Sequence, residues 1–345
     1  EIFNKDYNLL FSFSNILVDN DTSEPWNFKI ERNEKTISFK GGPKNSLSGS
    51  IDDNGSFNII SKKGLPLRGQ AEGIIDDSLI DLSMTKLEVD LSLINLVPPI
   101  GGFVEFTDGT AYGYLTISGQ VTDPDFNGIL HAKEANVMVH MVPENIEPFD
   151  TSIIFKDKTV TIGPKNVQIS NDSVRIDFNM TLSKWLPGSW VLNIKTEEEG
   201  KLHIIYNISS IGLGIDGFID GKLNILSNEY GISIKSDLIV NDCIISLGPS
   251  TPGTSSGSEA IFTDMKFTSG RRVQFLWPSN TLPILRATAE TGQVLNFTMD
   301  NLSRTYSLKG DIGIKYGSIF YFQKSFYLSE GSLIFNENET KFDPL

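Results

Sequence analysis

Three histidines, one cysteine and 43 carboxylates are the groups from which this 345-residue chain would have to build catalysis or metal binding. His131 and His140 stand nine residues apart, with no cysteine or carboxylate pair at ligand spacing. A zinc site needs ligands converging at close, regular intervals, so this pair does not read as one. Cys243 follows Asn241-Asp242 in a strand-like run and reads as a small buried apolar residue. With no second cysteine, an intrachain disulfide is excluded. Asp and Glu mainly fill outward positions, and none forms a pair of the kind a glycosidase uses. There is no Walker A lysine motif and no G-x-S-x-G elbow. The stretch "GLGIDGFIDG" (212–221) has the glycines of a cofactor loop but lacks the helix that must follow. The aromatic run "SIFYFQKSFYL" (318–328) reads as a ligand platform or, more simply, as a strand pair packing Phe320, Phe322 and Phe326 together. These residues predict no catalytic group, no cofactor and no metal.

What the chain does carry is alternation. "KLEVDLSLINL" sets Leu87, Val89, Leu91 and Leu93 on one face and Glu88, Asp90 and Ser92 on the other. "SVRIDFNMTL" does the same with Val174, Ile176, Phe178, Met180 and Leu182, and "VLNFTM" with Leu295, Phe297 and Met299. A period of two over four to eight residues is the mark of a strand with one buried face. Turn signals such as Asp53-Asn54-Gly55, Asp123-Pro124 and Pro187-Gly188 separate the runs. Helical character is confined to a turn or two at 76–82 and 92–97. The short turns favour antiparallel neighbours, so the chain reads as all-β, a repeating meander of mostly antiparallel strands.

Glycines recur inside these strands, at Gly113, Gly119 and Gly128 and again at Gly310, Gly313 and Gly317. Glycine weakens a strand, so repeated use marks bends, bulges or close backbone approach. If neighbouring strands bend at one level, the sheet becomes a trough whose inner face takes Leu115, Ile117, Val121 and their equivalents. The low-complexity stretch "GPSTPGTSSGSE" (248–259) reads as a flexible loop on a continuous sheet.

Net charge is −14, with 29 basic against 43 acidic residues. That balance disfavours nucleic acid, whose phosphates need a basic face, and tight docking on an anionic lipid surface. No apolar run approaches the ~20 residues of a membrane-spanning helix. The chain begins at Glu1 and ends at "KFDPL", and both ends read as cuts through a longer protein.

The segment "GYLTISGQVTDPDFNGILHAKEANVMV" resembles the G-x-L-x-L-x-G-x-x-x-x-P-x-x-x-G-x-L unit repeated through the TamB family and its AsmA-like relatives. The last block, "LKGDIGIKYGSIFYFQKSFYLSEGSLIFNENETKFDPL", resembles that family's C-terminal region. The correspondence falls on Gly317, Ile319, Tyr321, Phe326, Leu328, Gly331, Leu333, Phe335 and Pro344. The resemblance runs over 87–345. Residues 1–86 match in style only, 87–247 as repeats, and 260–345 as the terminal block.

The resemblance implies an elongated, curved sheet shaped like a taco, with an apolar inner groove. It implies a periplasmic position, with inner-membrane anchoring through parts outside this sequence. It also implies phospholipid transport to the outer membrane, phospholipid acyl chains as the bound species, and TamA or BamA as an outer-membrane partner. The groove lining expected from the alternating runs is Leu87, Val89, Leu91, Leu93, Leu115, Ile117, Val174, Ile176, Phe178, Met180, Leu295, Phe297 and Met299. A scaffold or chaperone for outer-membrane proteins is the alternative, since open sheet edges can template an incoming strand. A β-solenoid enzyme or adhesin would need a tighter repeat or a carboxylate cluster.

Overall fold

The structure, a computed structural model, describes residues 7–13, 17–18, 21–22, 26–96, 104–197, 201–208, 212–248 and 260–341. The expected loop beyond Gly248 and the motif proline Pro344 lie outside them. Among the described residues the chain is all-β: 25 strands and two short 3-10 helices, with 23 of the strands in one mostly antiparallel sheet. No helix among them is long and apolar enough to cross a membrane. Contacts divide the chain into two units. The first comprises 1–137, 148–163 and 180–188, and the second 138–147, 164–179 and 189–345.

In the first unit the strand Tyr7–Phe13 pairs with Trp26–Asn33, the first of an antiparallel meander of six strands: Trp26–Asn33, Thr36–Gly41, Leu47–Asp52, Ser56–Ser61, Leu67–Ile75 and Leu79–Asp90. The strand Val104–Gln120 pairs with the last of these. A turn over 121–124 then leads to the strand Asp125–Val139, with Pro124 fully buried at the reversal. Where the two long strands face each other, a Cβ on Gly113 would lie 1.9 Å from the Ile129 carbonyl oxygen. Here the glycine serves close backbone approach.

Two local expectations change. Residues 76–82 form a turn and a strand, with no helical turn. The Asp76 carboxylate accepts the N–H groups of Ser78 (2.9 Å) and Leu79 (2.7 Å), an Asx turn that launches the strand at Leu79. The alternating run through Leu87 and Val89 does not stay extended to Leu93. The strand ends at Asp90, and Leu91 and Leu93 sit on the 3-10 helix Leu91–Leu96. Leu91 remains one of the most buried side chains of the chain, 2% exposed.

The long strands share a device. In Leu79–Asp90 the inward residues are Ile80, Leu82 and Met84, then Leu87 and Val89, so the alternation slips by one residue at Thr85-Lys86. The register confirms the slip, since Leu115 pairs with Met84 and Gly113 with Leu87. Asp125–Val139 repeats it: Leu130 and Ala132 are buried before the slip, Ala135 and Val137 after it. In the second unit, Gly231–Leu247 buries Leu238 and Val240, then Cys243 and Ile245. Each slip is a β-bulge containing a charged residue at positive φ: Lys86 (52°), Glu134 (51°) and Asp242 (46°). The donors freed at two of the bulges find acceptors. Glu134 N–H donates to the Asp150 carboxylate (3.0 Å) and Asp242 N–H to the Arg271 carbonyl (2.7 Å).

The second unit contains the parallel exception. Gly231–Leu247 runs parallel to both Ile261–Ser269 and Gln274–Trp277. A parallel neighbour needs a crossover of a dozen or so residues, and the stretch between Leu247 and Ile261 has that length. Level with the Asp242 bulge, the next two strand positions are also interrupted. Ile261–Ser269 breaks before Gln274–Trp277, and Leu285–Ala289 breaks before Val294–Asp300. Glu290 N–H then bonds the carbonyl of Gly313 at 2.7 Å. The interruptions therefore line up across the sheet, one strand after another.

Candidate functional site

The residues expected to face a groove fall into both units. In the first, Leu87, Val89, Leu91, Leu115 and Met180 join one apolar cluster around Ala111, Leu130 and Ile153. Ile117 is buried beside it with Ile80 and Phe126. Leu93 is half-buried on its 3-10 helix. In the second unit, Val174 is buried, while Ile176 and Phe178 are half-buried, Phe178 lying 6.0 Å from the Trp190 ring. Leu295 and Phe297 are buried against a cavity of only ≈ 20 Å³, and Met299 is half-buried farther along the same strand. That volume is about one water's worth, so the protein's own side chains fill this interior.

The first unit differs. A cleft of ≈ 330 Å³ is walled by Trp26, Leu47, Ile59, Leu65, Met84 and Leu87, with Leu67 at 45% exposure opening it to solvent. Trp26 begins the first strand of the six-strand meander and Leu67 the fifth. Four strand spacings of a flat sheet are ~19 Å, far wider than this cleft, so the sheet must curl to bring both strands to it. Sequence reasoning identified Leu87 but not the other walls, because a curl joins strands that are not neighbours.

Two hydrogen-bond donors stand out. Trp26 Nε1–H and Arg68 Nε–H, on residues of the cleft wall, are both buried and have no hydrogen-bond partner among the described residues. The rest of the Arg68 guanidinium is engaged: Nη1 lies 3.2 Å from Glu88 and Nη2 2.5 Å from Asp90. A buried donor left unsatisfied costs ~1–3 kcal/mol, and such groups in native proteins call for an explanation. The other polar groups on the wall are Ser61, whose hydroxyl donates to the Leu67 carbonyl at 2.6 Å, and Gln70.

One polar constellation escaped the sequence entirely. His203 is held between two carboxylates, with Nδ1 2.6 Å from Glu144 and Nε2 2.8 Å from Asp216, and its ring stacks on Phe218 at 5.0 Å. Burial disfavours the imidazolium, but the hydrogen bonds it donates to Asp216 and Glu144 outweigh it and raise the pKa above the usual histidine value. Glu144 lies 59 residues away in sequence, so no local spacing could reveal it. His131 instead lies 3.0 Å from the Ser152 hydroxyl. Among the described residues no group of three or more His, Cys, Asp or Glu side chains is placed to hold a metal ion. Cys243 is 1% exposed, and burial, with the Asp216 charge adding to it, pushes its thiol up to about 12.

The aromatic run does form a strand pair, but its three phenylalanines are not packed away together. It forms an outward hairpin with Phe320 and Phe326 exposed and Phe322, 82% exposed, at its turn. The turn residues Phe322 and Gln323 both have positive φ, the geometry of a tight two-residue hairpin.

Compared with protein-family models, with curated proteins and with solved structures, the chain matches none of them.

Proposed function

We propose that this chain is a passive lipid carrier whose curled sheet accepts phospholipid acyl chains and passes them along its apolar face, with no catalytic step. The observation that carries the reading is the cleft of the first unit, ≈ 330 Å³ with walls dominated by Trp26, Leu47, Ile59, Leu65, Met84 and Leu87. That volume lies within the range of small-molecule sites, ~300–1,000 Å³. Each methylene moved from water to such a wall contributes about 0.8 kcal/mol, and dispersion contacts have no preferred position along a chain. A ligand held this way can slide. The resemblance of 87–345 to the TamB family would imply the same chemistry, with a periplasmic position and a TamA- or BamA-type partner.

The test is lipid capture and transfer. Native mass spectrometry of the purified chain should find bound phospholipid, and the chain should accelerate phospholipid exchange between vesicles. Ile59→Asp puts a charge on the cleft wall and should cut both by about tenfold or more, given what an unpaired buried charge costs. The far-ultraviolet circular dichroism should not change. Undiminished exchange by a folded Ile59→Asp variant would refute the proposal.

A further inference from the structure

The second unit gathers exposed apolar side chains at one end. The strand Gln274–Trp277 runs antiparallel to Leu285–Ala289, with Trp277 opposite Leu285. Leu285 in turn faces Ile319, and the Ile284 carbonyl accepts the Phe320 N–H at 2.8 Å. These pairings set the connection 278–284 beside the tip of the aromatic hairpin at Phe322-Gln323. Leu282 on the first tip is 81% exposed, as open as Phe322 on the second, and Trp277 is exposed below Leu282. Side chains of the aromatic hairpin alternate between its faces. The register puts Phe320 with Tyr327 on one face and Tyr321 with Phe326 on the other, and all four are exposed. A folded partner with one docking face would cover one side of this hairpin and leave the other in water. A fluid apolar medium covers both.

Charge is distributed to match. The chain carries −14, yet 273–285 holds no charged residue, and 312–329 holds Lys315 and Lys324 with no carboxylate. Arg286, paired with Ser318 beside the hairpin, is exposed as well. An otherwise acidic chain therefore offers, on these two stretches, nothing that repels phosphate. Trp and Tyr have an apolar body and a polar tip, which suits the boundary between headgroups and hydrocarbon.

We infer that this end of the second unit docks on a lipid bilayer. Leu282 and Phe322 enter the hydrocarbon boundary, Trp277, Tyr321 and Tyr327 lie at headgroup level, and Lys324 and Arg286 meet the phosphates. The inference goes beyond lipid carriage and does not rest on the cleft of the first unit.

The test is co-sedimentation of the purified chain with sucrose-loaded phosphatidylcholine vesicles. Phe322→Asp and Leu282→Asp should each lower partitioning roughly tenfold, since each withdraws a large apolar side chain from the contact. Both sites are exposed, and aspartate tolerates the positive φ of Phe322, so the fold is kept. Tyr230 is the control, an exposed aromatic at the turn between Asn228 and Gly231, at the opposite end of its strands. Tyr230→Asp adds the same charge and should leave partitioning unchanged. A parent chain that stays in the supernatant overturns the inference. So does partitioning that survives both tip substitutions, or that Tyr230→Asp lowers equally. A chain that binds no vesicle but forms a dimer that Phe322→Asp dissociates would make this end an interface between copies, and overturns the bilayer assignment too. Sedimentation involves no lipid exchange, so failure of the carrier reading leaves a positive result standing, and failure to dock leaves lipid capture by the cleft standing.

Discussion

Substituting alanine for Gly113 probes whether the strand glycines are there for close backbone approach. A Cβ built at Gly113 lies 1.9 Å from the Ile129 carbonyl oxygen, 3.0 Å from the carbonyl carbon and 3.1 Å from Leu130 Cα. All three atoms are backbone, so no rotamer change relieves the overlap. The strands Val104–Gln120 and Asp125–Val139 must separate by an ångström or more, and ladder bonds worth about 1 kcal/mol each must stretch or break. We expect a loss of roughly 3 kcal/mol, the upper end of ordinary overpacking. Gly163 is the matched control. It lies inside the strand Thr159–Ile169, and a Cβ there would meet nothing within 4 Å. Gly163→Ala should be neutral or stabilise by ~0.4–1 kcal/mol, through the unfolded chain. Urea titrations followed by circular dichroism, with m-values compared to confirm that the same transition is read, measure both. Equal losses for the two variants would refute the reasoning. So would a Gly113→Ala protein as stable as its parent.

Other expectations follow from the buried and paired groups. His203 has a raised folded pKa, so its contribution to stability is fully present below the unfolded histidine value, ~6.5, and is lost as pH rises through the folded value. Melting temperature should therefore fall across that window, and His203→Gln should flatten the fall; a slope unchanged by the substitution would count against the clamp. Cys243, 1% exposed with its thiol pushed up to about 12, should resist alkylation by iodoacetamide in the folded protein and react fully in denaturant, as read by intact mass. Rapid labelling under native conditions would show that its surroundings open.

Alternation and turn chemistry made the all-β class legible, because a strand with one buried face writes its period directly into the sequence. The slips at Lys86, Glu134 and Asp242 were legible too, though only in retrospect. Met84 and Leu87, Ala132 and Ala135, Val240 and Cys243 are inward pairs three residues apart where strict alternation allows two or four. Reading "KLEVDLSLINL" as one strand failed at its end, where the helical turn expected at 92–97 is the one that forms, as the 3-10 helix Leu91–Leu96. Parallel pairing between Gly231–Leu247 and Ile261–Ser269 had no local signal, because direction depends on where the connecting chain returns. The cleft and the His203 clamp were illegible for a shared reason: each joins residues brought together by curl or by long-range pairing. Trp26 and Arg68 are 42 positions apart in the sequence (68 less 26) and four strands apart in the sheet.

The slips give the long strands something like a reading frame. Upstream of Lys86 the inward residues fall on even positions, and downstream on odd ones; the same change occurs at Glu134 and at Asp242. A single-residue insertion or deletion in a surface turn leaves the frame intact. At one of these three positions it would hand the whole following half-strand to the opposite face, apolar side chains outward and charges inward. The three charged residues, exposed or half-buried, therefore decide how everything after them in the strand is read.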